Sequence, residues 1–250
     1  MTTSVASSNP LHPLRLLALD LGAESGRAMV GKFDGARLEV EPAHRFPNVP
    51  VRMGGTLYWD MLRLFGDVVT GIRAALCQGE LASAGVDGWG VDFGLLDDRG
   101  RLLGNPVHYR DQRTDGMLEY AVERVPRDEL YRATGIQLIP INTLYQLLAT
   151  TRAKDADLER AARLLLMPDL IHHFLCGSEV AEYTNATTTQ CFDVPRGRWA
   201  LEMLQRLGIP TRILPEVVQP GTVLGPLRAQ DAAPDGGAPE VIAPAPHDPA

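Results

Sequence analysis

A glycine-rich turn between two apolar segments constrains this chain more than any other part of its sequence. The segments cover 16–19 and 28–33, and the turn between them contains Asp20, Gly22 and Gly26. Short apolar runs on either side of such a turn are typical of two strands joined by a tight loop. Glycine can adopt positive φ angles and lets a ligand approach the backbone closely. The stretch therefore predicts a β-hairpin whose loop is the size of a phosphate group.

Two polar side chains, Asp20 and Ser25, indicate what this loop could bind. The backbone N–H groups of a tight turn can surround an anion, and a serine hydroxyl adds a further donor. A carboxylate beside a phosphate would repel it unless a divalent cation such as Mg²⁺ lay between the two. A plain hairpin, in which the same residues serve only the turn, is the alternative.

Two better-known phosphate-binding motifs do not match this stretch. A P-loop requires lysine and then serine or threonine after its second glycine, whereas Gly26 is followed by Arg27 and Ala28. A dinucleotide-binding fingerprint opens a helix, whereas the residues after Gly26 are typical of a strand. Both of these motif classes are therefore excluded at this position.

The composition excludes several classes of protein. The chain has 250 residues, of which 45% are hydrophobic, and its 24 basic and 31 acidic residues give a net charge of −7. An acidic chain without a basic cluster is a poor candidate for binding nucleic acid or an anionic membrane. Cys77, Cys176 and Cys191 are too far apart for a zinc motif or a disulfide framework. Without a recognisable signal peptide or membrane-spanning run, these features predict a cytoplasmic protein.

Apolar periodicity and breaker residues predict the order of the remaining elements. Helices are predicted over 61–76, 116–125, 127–133, 144–152, 158–166, 168–175 and 199–207. Strands are predicted over 91–96, 101–103 and 217–224. Loops are predicted over 49–56 and the threonine-rich 182–190, and residues 1–13 and 230–250 have the composition of a frayed tail and a linker. Early strands followed by helices predict an α/β fold with a mixed sheet and flanking helices.

Four further segments contain residue types that could bind a polyhydroxyl ligand, and each also has an ordinary structural interpretation. Gly88-Trp89-Gly90 could offer an indole wall to a sugar, or Trp89 could simply pack in the core. The charged run 109–113 could anchor hydroxyls, position a loop or form an ion-paired surface turn. The threonines of 185–190 could bond a polyol or their own backbone. His172 and His173 lack metal-ligand spacing, so packing is expected of them.

His247 and Asp248 form the last candidate pair. An aspartate can accept the proton of a hydroxyl while that hydroxyl attacks a phosphoryl group. Position alone argues against this role, because an aspartate so close to the end of a chain is usually solvated.

Taken together, the motifs resemble those of the rhamnulokinases, which belong with glycerol kinase and xylulokinase to the FGGY-type sugar kinases. The resemblance extends over about 14–248. The segments that carry it are 20–27 (DLGAESGR), 88–93 (GWGVDF), 109–114 (YRDQRT), 142–147 (NTLYQL), 166–169 (LMPD) and 182–190 (EYTNATTTQ).

The resemblance implies an actin-like ATPase fold of two ribonuclease-H-like domains, with ATP and sugar in the cleft between them. It implies transfer of the γ-phosphoryl group of ATP to O1 of L-rhamnulose, with Mg²⁺, in rhamnose catabolism. Asp20 would act through the metal, and Asp248 would be the catalytic base. The residues implied on the phosphate side of ATP are Ala23, Glu24, Ser25, Gly26 and Arg27. The residues implied at the sugar are Gly90, His247, Asp248 and Pro249.

Two departures from the family pattern qualify this expectation. Pro249 replaces a threonine, which removes a hydroxyl and a backbone donor. The family also continues for about another domain, so we expect 14–229 to be an N-terminal sugar-binding domain and 230–250 to lead to the hinge. Such a half should have almost no kinase activity without its C-terminal domain. A kinase for another ketose, such as L-fuculose or D-xylulose, and a non-catalytic sugar-binding half are the alternatives.

Overall fold

The structure is a computed structural model, and it describes residues 13–228 and 238–246. In these residues the strands are, in chain order, β1 (Leu14–Leu21), β2 (Ser25–Phe33), β3 (Leu38–Pro47), β4 (Val51–Met53), β5 (Thr56–Tyr58), β6 (Ser83–Gly88), β7 (Phe93–Leu96), β8 (Arg163–Leu166), β9 (Ala181–Glu182), β10 (Phe192–Asp193), β11 (Arg198–Trp199), β12 (Val217–Val218), β13 (Val223–Pro226) and β14 (Glu240–Ile242). The helices are α1 (Met61–Leu76), α2 (Met117–Val122), α3 (Arg127–Thr134), α4 (Thr143–Arg152), α5 (Ala156–Arg160), α6 (Met167–Cys176), α7 (Tyr183–Thr188) and α8 (Leu201–Arg206).

A six-stranded mixed sheet in the order β13-β14-β6-β1-β2-β3 organises the structure. The first three strands form an antiparallel meander. β6 then pairs parallel to β1, and β14 pairs parallel to β6. Parallel neighbours require a crossover, and the chain passes through α1 before β6 and through α6 before β14. The predicted α/β class with a mixed sheet and flanking helices is therefore confirmed.

One face of this sheet is buried beneath α1 and α6. The alternate residues Leu17, Leu19 and Leu21 of β1 are almost fully buried, as expected when one side of a strand faces a core. α1 packs on β1–β3, and α6 packs on β6, β13 and β14. A second apolar core lies among the remaining helices and includes residues of α2, α3, α4 and α8.

The helical spacing of 61–76 and 168–175 predicted α1 and α6 correctly. The Asp60 side chain accepts a hydrogen bond from Arg63 N at the start of α1, as an N-cap aspartate should. In α6, Pro168 lies in the first turn, and Gly177 adopts a left-handed conformation at the C-terminal cap. Both helices therefore begin and end where their local signals place them.

The predicted helix over 158–166 is wrong. α5 ends at Arg160, and 163–166 form β8, which pairs antiparallel with β7 so that Phe93 lies opposite Leu166. A short continuous apolar run is compatible with either a buried helix or a buried strand. Here the run forms a strand because β7 is available to pair with it. The predicted return strand over 101–103 is reduced to a single bridge between Leu96 and Leu102.

The predicted loop over 182–190 is also wrong, because its first part forms α7. The Glu182 carboxylate accepts a hydrogen bond from Asn185 N and caps the helix. The hydroxyls of Thr187 and Thr188 donate to carbonyl groups three residues earlier. The threonines therefore satisfy their own backbone, which was one of the two interpretations.

Two further loop predictions need correction. Residues 49–56 do not form a plain loop, because β4 pairs with β5 in a small hairpin. In the expected linker 230–250, the described residues include β14, which lies between β13 and β6. Residues 1–12, 229–237 and 247–250 lie outside the described part, so the rest of these two terminal predictions falls there. In the described part, no helix has the length and apolar character needed to cross a membrane.

We predict that truncation of the sheet core costs far more stability than truncation of a surface leucine. Leu19 is 0% exposed on β1, whereas Leu62 is 80% exposed on α1. Leu19→Ala should lower the free energy of unfolding by about 2–5 kcal/mol, and Leu62→Ala should change it by less than about 0.5 kcal/mol. Urea denaturation of both variants measures the difference, and similar losses in the two would contradict the packing described for β1.

Candidate sugar and phosphate site

A cavity of about 340 Å³ opens where the parallel strands β1 and β6 end. Carboxyl ends of parallel strands meet at one edge of a sheet, and ligands of α/β proteins commonly bind there. The volume lies within the usual range for small-molecule sites. The lining residues are Asp20, Leu21, Gly22, Ala23, Asp87, Gly88, Trp89, Gly90, Val91, Tyr109 and Ile141.

Two carboxylates lie side by side at this cavity. Asp20 of β1 and Asp87 of β6 are register partners in the parallel pair, so their side chains leave the same face of the sheet. Arg27 Nε donates to Asp20 Oδ2 at 2.5 Å, and both side chains are partly exposed. Mg²⁺ is usually held by one or two carboxylates together with substrate phosphates and water. The pair Asp20 and Asp87 fits that pattern, and the contact with Arg27 is made through Oδ2 of Asp20.

The predicted phosphate loop is a short turn braced by Asn48. Gly22 N donates to Ser25 O, Asn48 Nδ2 donates to Gly22 O, and Asn48 N donates to Glu24 O. Of the five residues expected on the phosphate side, Ala23 lines the cavity, whereas Glu24 and Ser25 are exposed beside it.

Packing against Phe46 explains why position 26 is a glycine, and the sequence did not predict this contact. Neither Gly22 nor Gly26 has a positive φ angle. The expectation that these glycines are needed for positive φ angles is therefore wrong. A Cβ atom on Gly26 would lie 2.3 Å from two ring atoms of Phe46 on β3. Such a distance is far below van der Waals contact. Gly26 is therefore required for packing between β2 and β3.

The backbone bends sharply at Gly90, Val91 and Asp92. Val91 has a φ angle of 68°, and Asp92 N donates to Gly90 O at 2.9 Å. A hydrogen bond across two residues with a positive central φ is the strained form of the γ-turn. A β-branched residue is a rare occupant of that region. Gly90 and Val91 line the cavity, whereas Asp92 does not. The turn therefore directs the first two residues toward the cavity and Asp92 away from it.

Asp92 is a fully buried carboxylate that accepts four hydrogen bonds. Oδ2 accepts from Trp59 Nε1 at 2.6 Å, Trp89 Nε1 at 3.2 Å and Tyr109 N at 3.2 Å, and Oδ1 accepts from Gln146 Nε2 at 2.9 Å. Burial raises the pKa of Asp92 to about 6, and these hydrogen bonds partly oppose the rise in pKa. The carboxylate thus bonds two residues that line the cavity, Trp89 and Tyr109.

Trp89 packs in the protein, as one of the two interpretations of Gly88-Trp89-Gly90 expects, and it also lines the cavity. Its ring centroid lies 4.3 Å from that of Trp59, which in turn stacks on His108 at 4.1 Å. Tyr109 continues the aromatic series, with its centroid 4.5 Å from that of His108. Trp89 and Tyr109 face the cavity at the two ends of this series.

The charged run 109–113 positions a loop and is not an ion-paired surface turn. The buried Asp111 carboxylate accepts from Leu57 N and Arg113 N. Arg113 Nη2 donates to Gln146 Oε1 at 2.6 Å. His172 is likewise a packed residue, as expected: its Nε2 accepts from Val86 N, and burial lowers its pKa to about 3.

His247, Asp248 and Pro249 lie outside the described residues. The last described residue, Pro246, accepts a hydrogen bond through its carbonyl oxygen from Gly88 N at 3.1 Å. Gly88 lines the cavity. The backbone that precedes the predicted sugar-binding pair is therefore attached at the cavity edge.

The fold brings Asp20, Ala23 and Gly90, which the motifs singled out, together at the cavity, and it adds Asp87 and Ile141, which no motif predicted there. The signal for Asp87 was its place at the end of a strand that follows a helix, which is the pattern of a parallel neighbour. Nothing in the local sequence indicates that Gln146 is buried among polar atoms.

Comparison with known proteins decides the family. The sequence model for the N-terminal domain of the FGGY family of carbohydrate kinases matches residues 15–248. The chain belongs to the FGGY family of carbohydrate kinases. The family membership that the motifs predicted for this FGGY domain is therefore confirmed.

Named relatives of this FGGY domain are rhamnulokinases. The rhamnulokinase of Pectobacterium carotovorum subsp. carotovorum (strain PC1) is 42% identical over 236 residues, which is 93% of this chain and 47% of that protein. The rhamnulokinase of Oceanobacillus iheyensis is 37% identical over 233 residues, or 93% and 50% of the two chains. The chain thus spans about half the length of the curated relatives it matches.

Solved structures of sugar kinases share the fold. Gluconate kinase from Lactobacillus acidophilus aligns with a TM-score of 0.80 at 20% identity, covering 92% of this chain and 47% of that chain. Glycerol kinase from Plasmodium falciparum with ADP aligns with a TM-score of 0.78 at 12% identity, covering 93% and 48%. The predicted actin-like ATPase fold is therefore confirmed.

We predict opposite effects when alanine replaces Gly26 and Gly66. The new methyl group at position 26 would collide with the Phe46 ring, so Gly26→Ala should lower the free energy of unfolding by about 1–3 kcal/mol. No atom lies within 4 Å of a Cβ at Gly66 on α1, so Gly66→Ala should stabilise by about 0.5–1 kcal/mol. Urea midpoints measure both effects. A stable Gly26→Ala variant would show that packing does not require this glycine.

We also predict that Asp92 makes stability fall as pH rises. Its pKa is raised from 3.8 to about 6 on folding, so the folded protein holds this proton more tightly than the unfolded chain. The stabilisation is present below the unfolded pKa, and up to about 3 kcal/mol of it is lost as pH rises through the folded pKa.

Asp92→Asn lacks this proton. The free energy of unfolding of Asp92→Asn minus that of the wild type should therefore rise by up to about 3 kcal/mol between about pH 4 and pH 7. The amide also meets the Gln146 amide, but that penalty does not vary with pH. Urea denaturation across this range tests the prediction, and a constant difference would contradict it.

Proposed function

We propose that this chain is the sugar-binding N-terminal half of a rhamnulokinase, which phosphorylates L-rhamnulose at O1 with ATP in rhamnose catabolism. The observation that carries the proposal is the cavity at the ends of β1 and β6, where Asp20 and Gly90 come together in a chain 42% identical to a rhamnulokinase. In this role the enzyme would work in the cytoplasm.

On the sugar side, Gly90 supplies backbone at the cavity, and Trp89 and Tyr109 supply aromatic walls for the apolar faces of the ring. Asp248 is proposed as the general base. It takes the proton of the O1 hydroxyl while O1 forms a bond to the γ-phosphorus of ATP and the bond to the β–γ bridging oxygen breaks, releasing ADP. The attachment of Pro246 to Gly88 supports this role, because Asp248 follows Pro246 by two residues.

On the nucleotide side, residues 23–27 are proposed to face the phosphates of ATP. Asp20, with Asp87 beside it, is proposed to hold Mg²⁺, which would neutralise phosphate charge when bound. The paired register of these two carboxylates supports this assignment. Arg27 contacts Asp20, and in the complete kinase its guanidinium is proposed to exchange that contact for a phosphate oxygen.

The proposal also assigns the two parts of this chain within a complete two-domain kinase. Residues 14–229 are proposed as the N-terminal domain, and 230–250 as the segment that leads to the hinge of the complete kinase. Phosphoryl transfer requires both substrates to be positioned together in a closed cleft. This chain by itself should therefore bind the sugar and have almost no kinase activity.

A non-catalytic sugar-binding half is the second candidate, and Pro249 favours it. A proline at the position of the family's threonine offers neither a hydroxyl nor a backbone N–H. A kinase for L-fuculose or D-xylulose is the other alternative, because a cavity outline does not specify hydroxyl stereochemistry.

We predict that L-rhamnulose changes the tryptophan fluorescence of the chain and that D-xylulose and L-fuculose do so more weakly. Trp89→Phe should remove most of this signal because the indole lines the cavity. Trp199→Phe is the matched control, since Trp199 lies in the second core and donates to Pro215 O. Calorimetry with the same sugars gives the affinities.

ADP release in the same mixtures with ATP and Mg²⁺ tests the predicted inactivity of the chain. Sugar binding without ADP supports the proposed half-site. Sugar-dependent ADP release would overturn the predicted inactivity of the chain, and tighter binding of D-xylulose or L-fuculose would overturn the substrate. Absence of any sugar binding would overturn the sugar-binding role itself.

A further inference from the structure

We propose that Gln146 is a positioning residue that sets the shape of the cavity without touching its contents. Gln146 lies on α4, is 0% exposed and does not line the cavity. The two hydrogens of its amide nitrogen nevertheless lie within reach of three acceptors, which are the carbonyls of two lining residues and the Asp92 carboxylate. The inference rests on the proposed sugar site, because the cavity it shapes is the one assigned to the sugar.

The nitrogen of the Gln146 amide holds two wall segments that are distant in sequence. Nε2 lies 3.2 Å from Val91 O and 2.8 Å from Ile141 O, and both of those residues line the cavity. The same nitrogen lies 2.9 Å from Asp92 Oδ1. A single amide thus links the γ-turn after β6 to the segment that precedes α4.

Asp92 extends the contacts of Gln146 to two further residues that line the cavity. Its second oxygen, Oδ2, accepts from Trp89 Nε1 and Tyr109 N. Both of these residues line the cavity. A carboxylate held at one oxygen by Gln146 therefore orients the indole and the tyrosine backbone through the other oxygen.

Arg113 determines which way the amide points. Arg113 Nη2 donates to Gln146 Oε1 at 2.6 Å. If the amide rotated by half a turn, its NH₂ group would face the guanidinium, and its oxygen would face the carbonyls of Val91 and Ile141. Both contacts would be repulsive, so the present orientation is the stable one.

The strain at Val91 explains why such a clamp is needed. A β-branched residue with a φ angle of 68° persists only where its surroundings hold it. Val91 O accepts from Thr143 Oγ1 at 2.7 Å as well as from Gln146. The first and second turns of α4 thus hold the carbonyl of the strained residue from two sides.

Gln146→Glu tests the proposal because it keeps the shape of the side chain and removes the donor. The carboxylate would face Val91 O, Ile141 O and Asp92 with no hydrogen to offer. We expect the affinity of the chain for L-rhamnulose, measured by calorimetry, to fall about tenfold or more, because buried acceptors lose their donor. Gln205→Glu, the same change at an exposed position of α8, should leave the affinity unchanged.

A second readout needs no sugar. The Trp59 and Trp89 rings are 4.3 Å apart at an angle of 40°, so their transitions should couple in circular dichroism. Gln146→Glu should alter this tryptophan signal while the helical signal stays at the wild-type level. A purely structural role would lower thermal stability and leave the tryptophan signal of the folded protein unchanged.

The outcomes separate this inference from the proposed function. Unchanged sugar affinity and an unchanged tryptophan signal in Gln146→Glu would overturn the inference. If the wild type itself fails to bind L-rhamnulose, the proposed function fails and the tryptophan signal alone decides the positioning role. If Gln146→Glu does not fold, Arg113→Met is the variant to test, because it removes the bond to Gln146 Oε1 and lets the amide rotate. Arg113→Met should weaken sugar binding and alter the tryptophan signal in the same direction. Unchanged binding and an unchanged signal in this variant would overturn the inference.

Discussion

The parallel pairing of β1 with β6 is the constraint on which the rest of the candidate site depends. Its register places Asp20 beside Asp87 and Leu21 beside Gly88, so the segments that follow both strands leave the sheet at the same edge. α1 lies between the meander and β6 in the chain and covers the buried face of β1. A hydrophobic crossover therefore brings together polar residues that are far apart in the sequence. The cavity is a consequence of this packing, since residues at the ends of both strands line it.

Behind the cavity, a buried carboxylate and a strained turn depend on each other. A buried charge is costly unless its oxygens are bonded, and Asp92 meets this condition only because Trp59, Trp89 and Gln146 converge on it. They converge because the γ-turn at Val91 directs Asp92 away from the cavity. The turn in turn persists because α4 holds its carbonyl. Disturbing any one of these elements therefore affects the others, although none of the buried atoms needs to touch a ligand.

Local signals predicted the elements whose stability is local, and they failed where a distant partner decides. The spacing of apolar residues and the caps at Asp60 and Gly177 are visible within a single segment, and α1 and α6 were predicted from them. The strand at 163–166 depends on β7, and no window of sequence contains both. The same limit applies to the site. Asp20 and Gly90 carry recognisable motifs, whereas the role of Gln146 depends on contacts with Val91, Asp92 and Arg113 that only the fold creates.

A residue can match a ligand-binding motif and also be required for packing. Gly26 belongs to the motif that predicted a phosphate loop, yet the Phe46 ring already excludes any side chain there. The converse holds at the other end of the chain, where composition suggested a linker. Its described residues form β14, which pairs with β6 and leads to the bond between Pro246 and Gly88. The pairing of β14 with β6 thus sets the path of the backbone as far as Pro246, on the other side of β6 from β1.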